Sequence, residues 1–285
     1  MEQKNFLTPA EVAAFCCQTG IAKANTPKVK QFILGILAGV YIAFAAAGSN
    51  MAAHGLLADP ATYGMGRLAA GLVFSAGLGF VLVAGSELFT GNTLIAVAVL
   101  EKKVSVGYML TNWVIVYIGN LVGSVLIAYL VTSTSLLDSS GSLLGAMTIK
   151  IAVGKVGLGF LPAFYLGILC NWLVCIAVWM SFAAKDIISK LFCCFFPISL
   201  FVTSGYEHSV ANMAYIPLGI LAKANEKWTE AAINLGVTAE QMDGLTWSSM
   251  FTKNLLPVTL GNIVGGTFCV GVVYWYCYLR KKTAK

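Results

Sequence analysis

Six apolar runs dominate the chain, covering about 32–57, 68–100, 106–131, 157–183, 188–221 and 255–279, with polar or glycine-bearing segments between them. At about 1.5 Å of helix per residue, each is long enough to cross roughly 30 Å of hydrocarbon. The second and fifth runs are interrupted near their middles. The break in the second lies at 85–93, reading Gly-Ser-Glu-Leu-Phe-Thr-Gly-Asn-Thr, and that in the fifth at 204–212, reading Ser-Gly-Tyr-Glu-His-Ser-Val-Ala-Asn. The pattern predicts an all-α polytopic membrane protein of six transmembrane helices, with helices 2 and 5 broken at mid-membrane.

The two halves repeat. Leu34-Gly-Ile-Leu in span 1 recurs as Leu166-Gly-Ile-Leu in span 4. Asn112, Gly119, Asn120, Val122 and Gly123 in span 3 recur 142 positions later as Asn254, Gly261, Asn262, Val264 and Gly265 in span 6. Glu87 and Asn92 of the first break match Glu207 and Asn212 of the second, 120 positions on. Three spans per half give the halves opposite topology, so repeat 1 (31–133) and repeat 2 (157–280) form an inverted pair within a channel domain at 31–280. Such repeats place discontinuous helices at a midplane site. Irregular backbone survives at that depth only where protein or water covers it.

Outside the spans, 1–30 is polar and carries an expected amphipathic helix after Thr8, lying on the inner surface. A Ser- and Gly-containing outer loop is expected before span 4, an external helical cap at 222–254 and a short tail at 281–285. With both termini inside, 12 Lys/Arg fall on inner segments against 6 outside, so both ends are read as cytoplasmic. No signal peptide is read at the N-terminus.

Composition agrees. A chain 58% hydrophobic and only 11% charged is a membrane protein rather than a soluble domain. The net charge of +6 is spread over segment ends without an aromatic-studded stripe, which excludes a nucleic-acid partner. The 8 cysteines lie in the N-terminal segment or in and beside apolar spans, none with zinc-type spacing, so they read as packing residues; no metal and no cofactor is expected.

His208 is the sharpest chemical signal. Ionisable groups at bilayer depth persist mainly where they face a cavity or a partner. Thr90 on the opposing break and Asn171 on span 4 are its candidate neighbours. An imidazole there donates a hydrogen bond or a proton, and its protonation state responds to an approaching anion. Helices restarting near Thr93 and Ser209 aim unpaired N–H groups at the centre, a geometry that favours an anion. Glu87 and Glu207 read as loop-pinning carboxylates that accept from exposed amides. Leu78, Leu88, Phe89, Phe74, Val174 and Phe201 are candidates for apolar constrictions. Lys155, in the outer loop, is a candidate for gathering anions, and His54 is read as non-catalytic.

At the breaks the sequence resembles the formate/nitrite transporter family, and within it the formate channel branch. Leu88-Phe-Thr-Gly-Asn-Thr is similar to its Ω-loop motif, the stretch 205–213 to its central-histidine motif, and 253–262 to its span 6 signature. The resemblance runs over essentially the whole chain. It implies an aquaporin-like fold, a homopentamer with one pore per protomer, and a polar pair of Thr90 and His208 at the pore centre, with Asn171 alongside. It further implies a cytoplasmic constriction of Leu78, Leu88, Phe89 and Val174, a periplasmic one of Phe74 and Phe201, and a vestibule lysine at Lys155, although the histidines often found beside that lysine are missing here.

The function this predicts is pH-dependent passage of a small monovalent weak-acid anion, foremost formate, across the cytoplasmic membrane. Nitrite, hydrosulfide or lactate are alternative permeants of the same pore. A membrane-embedded enzyme using Glu207 and His208 as an acid/base pair has no HExxH or GxSxG motif to support it, and the protein is read as no enzyme. An aquaporin-like water pore would carry paired Asn-Pro-Ala boxes at the breaks, and the sequence has none.

Overall fold

The computed structural model describes residues 5–280. The expected tail at 281–285 lies outside the described residues, as do the first four of the N-terminal segment. The chain forms α1 Pro9–Asn25, α2 Lys28–Ala58, α3 Tyr63–Gly85, α4 Phe89–Leu100, α5 Val106–Thr132, α6 Leu143–Val156, α7 Phe160–Ala183, α8 Ile187–Ser204, α9 Ser209–Ala222, α10 Glu226–Asn234, α11 Ala239–Gly244 and α12 Trp247–Tyr278. Helices α2, α3, α5, α7, α8 and α12 are long and apolar enough to span a membrane, and α4 and α9 are the short second parts of the two broken spans. The protein is therefore a multi-pass membrane protein.

Glycine makes both breaks. Gly85 (φ 85°) and Gly205 (φ 81°) occupy the left-handed region at the ends of α3 and α8, where a Cβ would be strained. The three residues after each are non-helical, and the chain then turns back into α4 and α9.

Close helix approach holds each half together. A Cβ on Gly119 of α5 would lie 2.7 Å from the Phe32 carbonyl of α2, and one on Gly167 of α7 2.7 Å from the Val258 carbonyl of α12. Backbone meets backbone at both contacts, so neither neighbour can turn aside. Gly119→Ala should lower the thermal midpoint of the solubilised protein by an amount equivalent to about 1–3 kcal/mol. Gly55→Ala, where a Cβ meets nothing within 4 Å, should leave it in place.

Three features differ from the sequence reading. The expected outer loop before span 4 contains α6, whose buried residues, among them Leu144, Met147, Ile149 and Ala152, pack it into the protein. Second, α1 does not rest on the membrane surface alone: Val12, Ala13, Cys16, Gly20 and Ala24 are buried, and a Cβ on Gly20 would touch Ala98 of α4 at 3.1 Å. Its start is fixed by a reciprocal cap between Thr8 and Glu11. Third, α12 begins at Trp247, earlier than the apolar run, because Thr246 and Ser249 cap its polar first turn.

Helices α1 and α6 are equivalents. Lys23 of α1 and Lys155 of α6 are 132 residues apart, the same offset that relates Gly35 to Gly167. Each half thus starts one helix earlier than the recurring tetrapeptides indicate. On one face of the molecule lie α1 and the α4–α5 and α7–α8 turns. The α2–α3 turn, α6 and the cap helices α10 and α11 lie on the other, where Trp228 Nε1 donates to Asp138 at 2.8 Å.

Candidate functional site

The two breaks are held by matching clusters. In the first, Lys23 Nζ donates to Glu87 Oε2 and to Asn92 Oδ1, both at 2.9 Å. Asn92 Nδ2 donates to Glu87 at 2.6 Å and to Asn112 at 2.8 Å. In the second, Lys155 Nζ donates to the Glu207 oxygens at 2.9 and 3.2 Å, and Asn212 Nδ2 to Glu207 at 2.6 Å and Asn254 at 2.7 Å. The carboxylates thus take their partners from lysine and asparagine side chains, not from backbone amides at the breaks.

Asparagines of spans 3 and 6 take those amides. Asn120 Oδ1 accepts from Phe89 N–H at 2.9 Å, while its Nδ2 donates to the carbonyls of Gly35 and Glu87 at 2.8 and 2.9 Å. Asn262 does the same for Ser209 N–H at 2.8 Å and for the carbonyls of Gly167 and Glu207 at 2.8 and 3.0 Å. The first amide of each restarting helix is consequently capped rather than aimed free at the centre. All four asparagines of spans 3 and 6 were legible as repeat markers, but their role as loop clamps was not.

Leu88 and His208 stand at equivalent positions, with matching extended backbones (φ −107°, ψ 122° and φ −107°, ψ 118°). His208 Nδ1 accepts from Ala211 N–H at 3.0 Å, capping α9. The proton of the neutral ring therefore sits on Nε2, which meets Thr90 Oγ1 at 2.9 Å. Phe201 stacks on the imidazole at 5.9 Å between ring centroids.

Three cavities follow one another through the protomer. One of about 90 Å³ on the cap side is lined by Arg67, Phe74, Lys155, Phe201, Glu207 and His208, among others. A second, of about 50 Å³ on the α1 side, is lined by Lys23, Leu78, Leu88, Asn92 and neighbours. Between them lies a gap of about 10 Å³, room for no more than one water, lined by Ile42, Phe74, Leu78, Leu88, Val174, Ile198, Phe201 and His208. Phe74, Phe201 and His208 border the cap-side cavity and the gap, whereas Leu78 and Leu88 border the gap and the α1-side cavity.

The remaining candidates fall elsewhere. Phe89 lines none of these spaces: its ring packs edge-on against Tyr117 and Trp113 of α5, at 4.9 and 6.1 Å, because α4 starts at this residue and turns it away from the axis. Thr90 is fully buried behind the histidine ring. Asn171 makes no hydrogen bond to that ring; its Nδ2 donates to the carbonyls of Thr90 and Asn262 at 3.2 and 2.7 Å and so holds the backbone of Thr90. His54 is tied to Met51 and Ser140 at the cap side. Lys155 lies in the last turn of α6 rather than in a loop. Among the described residues no group of three His, Cys, Asp or Glu side chains is placed to hold a metal.

Inverted three-span halves, each contributing a broken helix to a row of cavities, define a membrane transport protein with a pathway through each chain. The chain belongs to the formate/nitrite transporter family, whose sequence model, described as Formate/nitrite transporter, matches residues 10–276. It is 39% identical over 291 residues to the probable formate transporter of Methanothermobacter thermautotrophicus, covering 97% of this chain and 99% of that protein. It is likewise 39% identical over 280 residues to the formate channel FocA of Escherichia coli (strain K12), covering 97% and 96%. A solved structure described as a pentameric formate channel with formate bound superposes with a TM-score of 0.78 at 37% identity, over 89% of this chain and 98% of that one. An FNT family ion channel gives 0.71 at 30% identity, over 93% and 98%.

Proposed function

We propose that this protein is a formate channel of the cytoplasmic membrane, a homopentamer with both termini and α1 on the cytoplasmic side and one pore through each protomer. The reading is carried by the narrow apolar gap that presents His208, held by Thr90, between two wider cavities. In it, Phe74 and Phe201 form the periplasmic constriction and Leu78, Leu88 and Val174 the cytoplasmic one. A bare anion in such a gap bears most of its desolvation penalty unpaired. The Nε2–H of His208 is the one ring donor available there, and an anion takes it by competing with Thr90. Its other nitrogen is engaged by Ala211, so the ring becomes an imidazolium only by releasing the cap of α9. A proton from the entry side, taken on Nδ1 as Ala211 lets go, lets the ring pass its Nε2 proton to the anion and stay neutral; the neutral acid then crosses, which makes flux pH-dependent.

A gap of about 10 Å³ favours the smallest permeants. Liposome uptake of formate, nitrite, hydrosulfide and lactate at two pH values tests the assignment. Formate is expected to enter much faster than lactate, and lactate entering as fast would remove formate as the physiological cargo.

A further inference from the structure

The matching clusters at the two breaks are electrically matched as well. Lys23 and Glu87 form an ion pair at 2.9 Å, and Lys155 and Glu207 form another at 2.9 Å, with side chains only 15% and 7% exposed. Both oxygens of Glu207 engage the Lys155 ammonium, which also sits 5.2 Å from the centre of the Tyr215 ring. The lysine charge is thus answered locally, and it leaves little net field for an approaching ion.

Arg67 breaks the match. It lines the cap-side cavity together with Ser49, Asn50 and Tyr206. Its Nε donates to the Thr203 carbonyl at 3.2 Å and its guanidinium also reaches the Val202 carbonyl, both at the C-terminal end of α8. Those acceptors are neutral, and among the described residues no carboxylate lies within ion-pair distance of it. A guanidinium has five N–H donors, so donors remain beyond those two contacts. The position 120 residues further on is Ile187, so the α1 side has no counterpart.

With His208 contributing a capped, neutral ring, the cap-side cavity carries one uncompensated positive charge and the α1-side cavity none. We infer that Arg67, rather than Lys155, is the residue that collects small anions, and that it does so on one side of the channel only. Lys155 then serves to hold Glu207. A cleft with low-dielectric walls focuses such a charge and raises the local anion concentration, an effect that salt screens. This inference rests on the reading of the protein as a small-anion channel.

The test uses right-side-out and inside-out membrane vesicles containing the full chain, with initial formate uptake measured well below saturation. Raising the ionic strength of the external solution alone from roughly 10 to 300 mM with an impermeant salt should slow uptake about threefold in right-side-out vesicles, whose cap side faces that solution, and less than about 1.5-fold in inside-out ones. Arg67→Gln should abolish the difference by lowering the low-salt rate about threefold, whereas Arg67→Lys, which keeps the charge, should retain at least about half of it. Equal salt responses in both orientations of the unmodified protein overturn the inference, even if Arg67→Gln fails to fold. So does asymmetry that survives Arg67→Gln, or Arg67→Lys behaving like the glutamine variant, which would mark a role in holding α8. Absence of any anion uptake above empty vesicles overturns the channel reading as well.

Discussion

Replacing His208 with asparagine will flatten the pH profile of formate uptake while leaving the fold intact. The side chain has two separable tasks in the structure. Its Nδ1 caps α9 by accepting from Ala211 N–H, and its Nε2 meets Thr90 in the gap. Asparagine is among the best helix N-caps, so the first task survives, and stability should change by less than about 1 kcal/mol. The second is lost, because no titratable group remains between Phe201 and Leu88. A weak acid that crosses with a proton draws that proton from the side it enters. Lowering external pH from about 7.5 to 5.5 should therefore speed uptake several-fold in the unmodified protein and less than about twofold in the variant. Parallel profiles would remove the ring from the mechanism.

Replacing Asn262 with leucine will have the largest effect on stability. One side chain satisfies Ser209 N–H and the carbonyls of Gly167 and Glu207, all at bilayer depth. Leucine leaves those backbone groups unpaired and buried. At about 1–3 kcal/mol each, the loss is comparable to the whole stability of an ordinary domain. The expected result is loss of monodisperse solubilised protein, and Asn120→Leu, its equivalent in the other half, should do the same. Asn262→Asp keeps the acceptor and loses the donor, so it should fall between. A thermal midpoint unchanged by leucine would show that the second break is held by something else.

The spans and breaks could be read from the sequence because each rests on a one-dimensional pattern. Apolar runs announce bilayer crossings, and Gly85 and Gly205 beside buried-depth glutamates announce interruptions. The inverted repeat was visible in Asn112, Asn120, Asn254 and Asn262. Helix α6 was hidden because its serine- and glycine-rich approach resembles a loop and its apolar face is too short to register as a span. Phe89 and Leu88 illustrate a deeper limit. They are adjacent in a motif of pore-facing appearance, yet one lines the gap and the other packs on Trp113, a choice made by the direction in which α4 restarts. Nothing in the sequence separates Lys23 from Arg67; the folded chain pairs Lys23 with Glu87 and turns Arg67 into the cap-side cavity with no carboxylate of the described residues within ion-pair distance.

Contacts between the halves have a mechanical implication. Thr90 of the first meets His208 and Asn171 of the second, Tyr117 meets Thr259, and Arg67 holds the end of α8. Bundles that carry cargo by rocking must let their two lobes slide past a fixed centre. Here the lobes are stitched together at that centre, so sliding would tear the stitches that build the passage itself. These stitches favour a stationary orifice that cargo threads over a pair of rocking lobes.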